Sequence, residues 1–546
     1  MTHLAIVILG QGSFNTAQRI KAGLPNSQIL GLAGRVTGAD VEIAEFGPAL
    51  RDLYLQNRPI VVVCAAGIVI RTLASLLQNK RAEPPVLAVA EDGSAVVPLM
   101  GGLHGVNQIA RQIGTILGTV PAITTTGEIR FNFTLEQPPA GYTVRNPQAA
   151  KTFMSDLLSG KGVRVEGNAP FLDATRITHD PDGPLRLLIT TKDHEPAADE
   201  LVLHPKSVVI AATGNWSNIP HILAEAGISP LSVAYVAVPE TATLSLDFPI
   251  RLVPGELTAQ HMVYAAIAEP ELLGRGDIVI GTAVSPDAVS LIGHKRGRLA
   301  VVGLGPGSKD FMPPAVKAEL ARAQHIIGYF PYVEMAGPFR PDQTAHASDN
   351  RVEMDRSRHA FSLAAKGEDV VVVSSGDPGI FAMATAVIEA LHQSDDPTWH
   401  GVELVILPGI SAANAAASLA GAPLGHDFCV MSLSDNLKPW EVIETRLELA
   451  TKADFALAFY NPISKARPWQ LGRALEIIRA NRASQTPVVL GRNVGRPGET
   501  IIVTTLGDLT PDMVDMRTVV IIGSSVTKTF ERADGGTWVY TPRWYE

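Results

Sequence analysis

The chain has 546 residues, 46% of them hydrophobic, which is enough for about three or four domains with buried cores and excludes a disordered chain. Its 45 basic and 54 acidic residues leave a net charge of −9, and only 18% of residues are charged, so general nucleic-acid binding through a basic surface is excluded. Cys64 and Cys429 are too few for a four-cysteine zinc site, an iron–sulfur cluster or a disulfide framework, and fit a reducing cytoplasm.

The opening MTHLAIVILGQG holds one short apolar run, and no stretch of about eighteen apolar residues follows, so neither a signal peptide nor a membrane span is predicted. Apolar runs of strand length recur at Leu4–Leu9, Ile60–Val63, Val86–Ala90, Val208–Ala212, Ile278–Ile280, Leu299–Leu304, Val370–Val373, Val402–Leu407, Phe455–Phe459, Val488–Leu490 and Thr518–Ile522. Most are followed by Gly, Ser or Asn and then a helix-like pattern, which predicts strand–loop–helix units with both sheet faces covered. The fold class is therefore α/β, multidomain. Turn-rich EQPPAGYTVRN (Glu136–Asn146) and HDPDGP (His179–Pro184) mark a small middle module, and GHKRGR (Gly293–Arg298) reads as a solvated linker. The predicted organisation is 1–130, 131–204, 205–293 and 298–546.

In the first module, VCAAGIVIR (Val63–Arg71) is a strand entering a helix through a small-residue turn, and AVAEDGS (Ala88–Ser94) is a strand ending in an acidic turn. PLMGGLHGVN (Pro98–Asn107) precedes an amphipathic helix, and AITTT (Ala122–Thr126) closes the group. These segments resemble the cobalt-precorrin-5A hydrolase family, clearly over about 55–130, less so to about 204, and faintly across 205–293. The resemblance implies opening of a macrocycle lactone with release of acetaldehyde, with His104 beside Glu91 or Asp92 as the candidate catalytic group. The alternative is that 1–293 binds and shelters a macrocycle without cleaving it. A nicotinamide oxidoreductase built on Gly10–Gln11–Gly12 and Gly303–Gly307 is the weakest reading, because Ser308 stands where a dinucleotide fingerprint needs its third glycine.

In the last module, LAVVGLGPG (Leu299–Gly307) is a buried strand ending in a glycine-rich turn, with Pro313 and Pro314 marking the next helix. VVVSSGDPGIF (Val371–Phe381), LPGISAAN (Leu407–Asn414), FYNP (Phe459–Pro462) and LGRN (Leu490–Asn493) are further strand exits carrying Gly, Pro or Asn. Five such exits predict backbone donors and acceptors gathered at a sheet edge, where open α/β folds bind ligands.

The ordered set GLGPG, SGDPGIF, PGISAA, FYNP and LGRN resembles the tetrapyrrole methylase family. SLSDNLKPW (Ser432–Trp440), followed by FYNPIS with Arg467, resembles its precorrin-3B carbon-17 methyltransferase branch, and the resemblance covers about 298–546. It implies two α/β lobes with S-adenosylmethionine in the cleft between them, no metal, and commonly a homodimer. The implied reaction is methylation of a precorrin at carbon 17 with ring contraction, precorrin-3B to precorrin-4, in cobalamin biosynthesis; the substrate is metal-free or cobalt-bearing.

Carried over motif by motif, Gly303, Gly305, Pro306, Gly307, Ser375, Gly376, Asp377, Ile380, Ser411, Ala412, Tyr460, Asn461 and Gly491 would contact the cofactor. The acetate and propionate arms of a precorrin call for cations, for which Lys438, Lys465, Arg467, Arg492 and Arg496 are candidates. Ring contraction moves protons, and Asp435 and Tyr329 are the candidate groups. Asp435 could equally cap the helix that Pro439 and Trp440 begin.

Overall fold

The computed structural model describes residues 4–131, 135, 138–242, 244, 246–274, 276–340, 342–349 and 352–545. It divides into two units: Met1–Arg296 with Ala365–Gly367 and Asp396–Gly401, and Gly297–Ala364 with Glu368–Asp395 and Val402–Glu546.

The first unit holds three sheets. The first has the order Val41–Ile43, Ser27–Leu32, Leu4–Ile8, Ile60–Val63, Val86–Val89 and Val96–Met100. Its first five strands are parallel and the last is antiparallel. Ile6, Ile8, Val61 and Val63 pack with Ala17, Ile20 and Ile113 on one face, and Ala5, Val7, Ile60 and Val62 with Leu50, Leu53 and Leu73 on the other. Burial on both faces is why these strands are unbroken apolar runs rather than alternating ones.

The second sheet joins Tyr142–Val144, Glu200–Pro205, Leu185–Ile189 and Val163–Glu166. The turn at His179–Pro184 lies inside it, between the paired strands Val163–Glu166 and Leu185–Ile189, and so does not end a module. Of the other predicted boundary segment, Glu136 and Gln137 lie outside the described residues. The third sheet runs Glu271–Leu273, Ile278–Thr282, Val208–Ala212, Val233–Pro239, Ile250–Val253 and His294–Lys295. GHKRGR is thus not only linker: His294 and Lys295 pair with Leu252 and Arg251, and Arg298 begins the next strand, where its guanidinium pairs with Glu319 at 2.6 Å and with Glu403.

His204, on the strand Glu200–Pro205, is 0% exposed. Its Nδ1–H donates to the Thr190 carbonyl at 2.8 Å, while Nε2 has no partner. Burial holds this imidazole below its ordinary value of 6.5, with the Thr190 carbonyl opposing the shift. The neutral ring is the folded form, whereas the unfolded chain takes up a proton below about 6.5. Stability should therefore be full above that pH and fall as the pH drops below it. The urea midpoint of the parent chain should fall between pH about 7.5 and about 5.5, and by less in His204→Gln; equal falls in both would contradict this.

The second unit is two α/β lobes and a small sheet. In the first lobe all five strands are parallel, in the order Thr344–Ser348, His325–Tyr329, Asp369–Ser374, Arg298–Gly303 and Glu403–Leu407. In the second the order is Phe428–Ser432, Ala456–Tyr460, Thr518–Ile522, Pro487–Arg492 and Thr500–Thr505. Thr518–Ile522 is antiparallel to both of its neighbours, so Ala456–Tyr460 and Pro487–Arg492 point the same way, as does Phe428–Ser432. The strands Gly421–Ala422, Thr537–Tyr540 and Lys528–Glu531 form the small sheet. Among the described residues, no helix is long and apolar enough to cross a membrane.

Candidate functional site

Because the first-lobe strands are parallel, Gly303, Ser374 and Leu407 all release the chain at one edge. The three strands are neighbours, about 5 Å apart. Their turns lock onto one another. Gly305, at φ +78°, exchanges two hydrogen bonds with Gly376: Gly305 N–H to Gly376 O at 3.2 Å and Gly376 N–H to Gly305 O at 2.7 Å. The Asp377 carboxylate then accepts from Gly379 N–H at 2.8 Å and from Gly409 N–H at 3.1 Å. It therefore ties the second turn to the third. Gly303 and Gly409 must stay glycine, since a Cβ on Gly303 would lie 2.8 Å from Gly409 N and one on Gly409 would lie 2.6 Å from Gly303 O.

The third turn feeds the helix Ala412–Ala420, which Ser411 caps by accepting from Asn414 N–H at 3.2 Å. That helix start is also where the lobes meet, for Ala413 N–H donates to Tyr460 Oη at 2.9 Å. Asn461 takes φ +51° and donates from Nδ2 to Ser432 Oγ at 3.0 Å. Gly491 lies under the same helix, where a Cβ would come 2.7 Å from Ala416 Cβ. The fifth exit reaches back: Arg496 donates from Nε to Pro306 O and from Nη2 to Ser375 Oγ, both at 2.9 Å. Gly495 packs on Pro306, so Gly307 lies beneath Arg496. Ile380 is half-buried in the second turn, its N–H on Asp377 O at 3.3 Å. All five predicted tips thus belong to one network, which Arg496 closes as a clasp instead of offering a free surface cation.

The remaining candidates fall out differently. Asp435 is half-buried and accepts from Gln470 Nε2 at 3.0 Å. It does not cap the helix Trp440–Lys452, whose N-cap is Pro439 with no side-chain bond. Tyr329 ends its strand at the same first-lobe edge, edge-on to Tyr332 at 5.4 Å between ring centres. Burial raises the Tyr332 phenol, opposed by the Arg496 and Arg356 charges. Arg467 is 7% exposed; its Nη1 donates to Asn461 O at 2.9 Å and its Nη2 lies 3.7 Å from Met516 Sδ. It braces the fourth turn from beneath. Arg492 is paired with Asp515 at 2.9 Å, and Lys465 is exposed. Lys438 is half-buried, its ammonium 5.9 Å from the centre of the Phe381 ring. Burial, then Arg446, holds its pKa down.

Two residues to which sequence reasoning gave no site role belong to this edge. Arg356 is buried, donating to Ser348 Oγ at 3.0 Å and Asp349 O at 2.9 Å, with Met383 Sδ at 3.2 Å. Phe381 takes φ +54°. Arg356 sits in a plain amphipathic helix and carried no motif signal; a left-handed Phe cannot be foreseen from a residue type that rarely adopts it.

In the first unit the predicted pairing of His104 fails. Val96–Met100 runs antiparallel to Val86–Val89, with Met100 opposite Val86. The loop carrying His104 therefore leaves at the edge opposite to Glu91 and Asp92. Those two follow Val89, close to where the twelve-residue helix Val106–Leu117 ends against Gly93; a helix that long spans about 18 Å. An acid at the His104 edge is Glu128, held by Arg111 and by Asn107 Nδ2 at 3.3 Å. Among the described residues, no group of three or more His, Cys, Asp or Glu is placed to hold a metal ion. Cys64 is half-buried and pushed up to about 11 by burial, so its thiol is not a ready nucleophile.

Comparison with known proteins gives two family matches: Tetrapyrrole (Corrin/Porphyrin) Methylases over residues 298–510 and Cobalamin synthesis G N-terminal over residues 48–128. A precorrin-3B C(17)-methyltransferase from Sinorhizobium sp is 54% identical over 249 residues, 46% of this chain and 97% of that one. The cobalamin biosynthesis protein CobIJ of Mycobacterium tuberculosis is 49% identical over 253 residues, and the match spans about half (48%) of that longer protein. Among solved structures, the methyltransferase CobJ is 53% identical and matches 45% of this chain and 100% of that one, with a TM-score of 0.43. On the strength of a relative matched across nearly its whole length at this identity, the chain belongs to the tetrapyrrole (corrin/porphyrin) methylases.

Proposed function

We propose that residues 298–546 form an S-adenosylmethionine-dependent methyltransferase that acts on carbon 17 of a precorrin, with ring contraction from precorrin-3B to precorrin-4, in cytoplasmic cobalamin biosynthesis. The observation that carries the reading is the closed network of five turn tips, tied by Asp377, Tyr460 and Arg496. Its donor set suits the cofactor: glycine-turn amides and carbonyls, the Ser375 and Ser411 hydroxyls and the Asn461 amide offer neutral partners to a nucleoside, with no phosphate-cradling lysine. The bound cofactor supplies a methyl group already made electrophilic by its sulfonium.

The chain's own residues then have to bind and orient. Gly303, Gly305, Pro306, Gly307, Ser375, Gly376, Asp377 and Ile380 form one wall, and Ser411, Ala412, Tyr460, Asn461 and Gly491 the other. Holding nucleophile, methyl and sulfur in line is a proximity effect that can be worth roughly 7–11 kcal/mol. Asp435, oriented by Gln470, and Tyr329 are the groups proposed to move protons during contraction. Lys438 is the cation proposed to meet a carboxylate arm directly, while Arg467 and Arg492 set the turns from within their own contacts. We also propose that the chain forms a homodimer through this region.

The amino-terminal residues divide, on this proposal, into modules 1–130, 131–204 and 205–293 of a hydrolase-like half. The separation of His104 from Glu91 and Asp92 favours the second reading of that half, a module that binds the macrocycle without opening its lactone. Incubating the full chain with S-adenosylmethionine and metal-free or cobalt-bearing trimethylated precorrin tests the first proposal: a gain of one methyl mass in either acceptor is expected, and no gain in both would refute it. Acetaldehyde released from cobalt-precorrin-5A would restore the hydrolase reading.

A further inference from the structure

We propose that Phe381 and Lys438 form the platform on which the macrocycle lies, the Phe381 ring against its face and the Lys438 ammonium against one carboxylate arm. The inference rests on the methyltransferase reading. A bulky residue in the left-handed region is uncommon and strained, and such strain gathers at ligand sites where the surrounding fold enforces it. Here the enforcing contacts are Ile380 N–H on Asp377 O at 3.3 Å and Ala384 N–H on Pro378 O at 2.9 Å, which close the turn on either side of Phe381.

Core packing does not repay that strain, because Phe381 is 51% exposed. What the conformation achieves is a position. The ring lies 5.7 Å from Tyr460, tilted by 58°, and Tyr460 is itself fixed by Ala413 N–H. The Lys438 ammonium stands 5.9 Å from the centre of the Phe381 ring. No ion pair joins Lys438 to a carboxylate among the described residues, and burial and Arg446 already work against its charge. Leu437, next to it, is 100% exposed. An aromatic face, an exposed aliphatic side chain and an unneutralised ammonium match a broad, unsaturated ring bearing carboxylates. S-adenosylmethionine also joins a flat ring to a carboxylate. Lys438 and Leu437, however, lie on the 432–440 segment outside the five cofactor turns, which favours the macrocycle.

The test uses the full chain with two stable probes, S-adenosylhomocysteine by calorimetry and uroporphyrin III by fluorescence quenching, in the parent and in Phe381→Ala, Phe381→Leu and Lys438→Gln. Uroporphyrin affinity should fall about tenfold or more in Phe381→Ala and Lys438→Gln, and the salt dependence should flatten in Lys438→Gln. S-adenosylhomocysteine affinity should stay within about twofold in all three, which also shows that they fold. Phe381→Leu should fall between parent and alanine, since it keeps apolar area but not the ring face. Unchanged uroporphyrin binding in the variants, or a selective loss of S-adenosylhomocysteine binding, would overturn the platform alone. Failure of the parent chain to bind S-adenosylhomocysteine would overturn the methyltransferase reading and the platform with it.

Discussion

Replacing Arg496 with alanine should weaken S-adenosylhomocysteine binding by about 30- to 150-fold while leaving the thermal unfolding of the chain nearly unchanged. The guanidinium joins the fifth exit to Pro306, 190 positions away, and to Ser375, 121 positions away. Hydrogen bonds from a charged donor are worth about 1.5–3 kcal/mol each, and partial exposure to water reduces that, so a net loss of about 2–3 kcal/mol is expected. The loss appears in binding rather than folding because the bonds hold the first and second turns in register with the fifth and add no apolar side chain to a core. Arg496→Lys, with a single point of donation instead of a fork, should recover only part of the affinity. Full affinity in Arg496→Ala would contradict the clasp.

Gly409→Ala should be at least as damaging. The new Cβ would sit 2.6 Å from Gly303 O, and closer still to Gly376 O; both are backbone atoms that no rotamer change can move aside. Overpacking of this kind costs about 1–3 kcal/mol. Relief requires the third turn to back away from the first two, which stretches the Gly409 N–H bond to Asp377. On the order of a hundredfold should be lost from S-adenosylhomocysteine affinity, close to 3 kcal/mol, and calorimetry reads it directly. Alanine at Gly535, where a Cβ meets nothing within 4 Å, is the control. It pays only for its left-handed backbone and should bind normally.

What could be read from the sequence follows burial. Each apolar run taken as a strand corresponds to one, from Leu4–Ile8 to Thr518–Ile522, because strands covered on both faces need unbroken apolar stretches. Of the edge strands, Glu403–Leu407 was legible and others were not. Thr344–Ser348 reads TAHAS, and Val41–Ile43 is three residues long, so neither carries enough apolar signal. The five turns were legible because close backbone approach demands Gly, Pro or Asn whatever lies around them.

Long-range partners were not legible. Asp377 meets Gly409 from 32 positions away, and no local pattern encodes that meeting. Arg496 looked like a surface cation because sequence shows its charge and not its neighbours. The His104 pairing failed on strand direction. An apolar run looks the same parallel or antiparallel, yet the antiparallel Val96–Met100 carries the following loop to the far edge of its sheet.

On the proposed reading, five turn tips of the last 250 or so residues surround one sulfonium donor. A crystal structure of the full chain grown with S-adenosylhomocysteine tests it most directly. The nucleoside should lie between the Gly305–Gly376 bridge and the Tyr460–Asn461 turn, within hydrogen-bond reach of their backbone. Density for the nucleoside anywhere else, with those turns bare, would contradict the account.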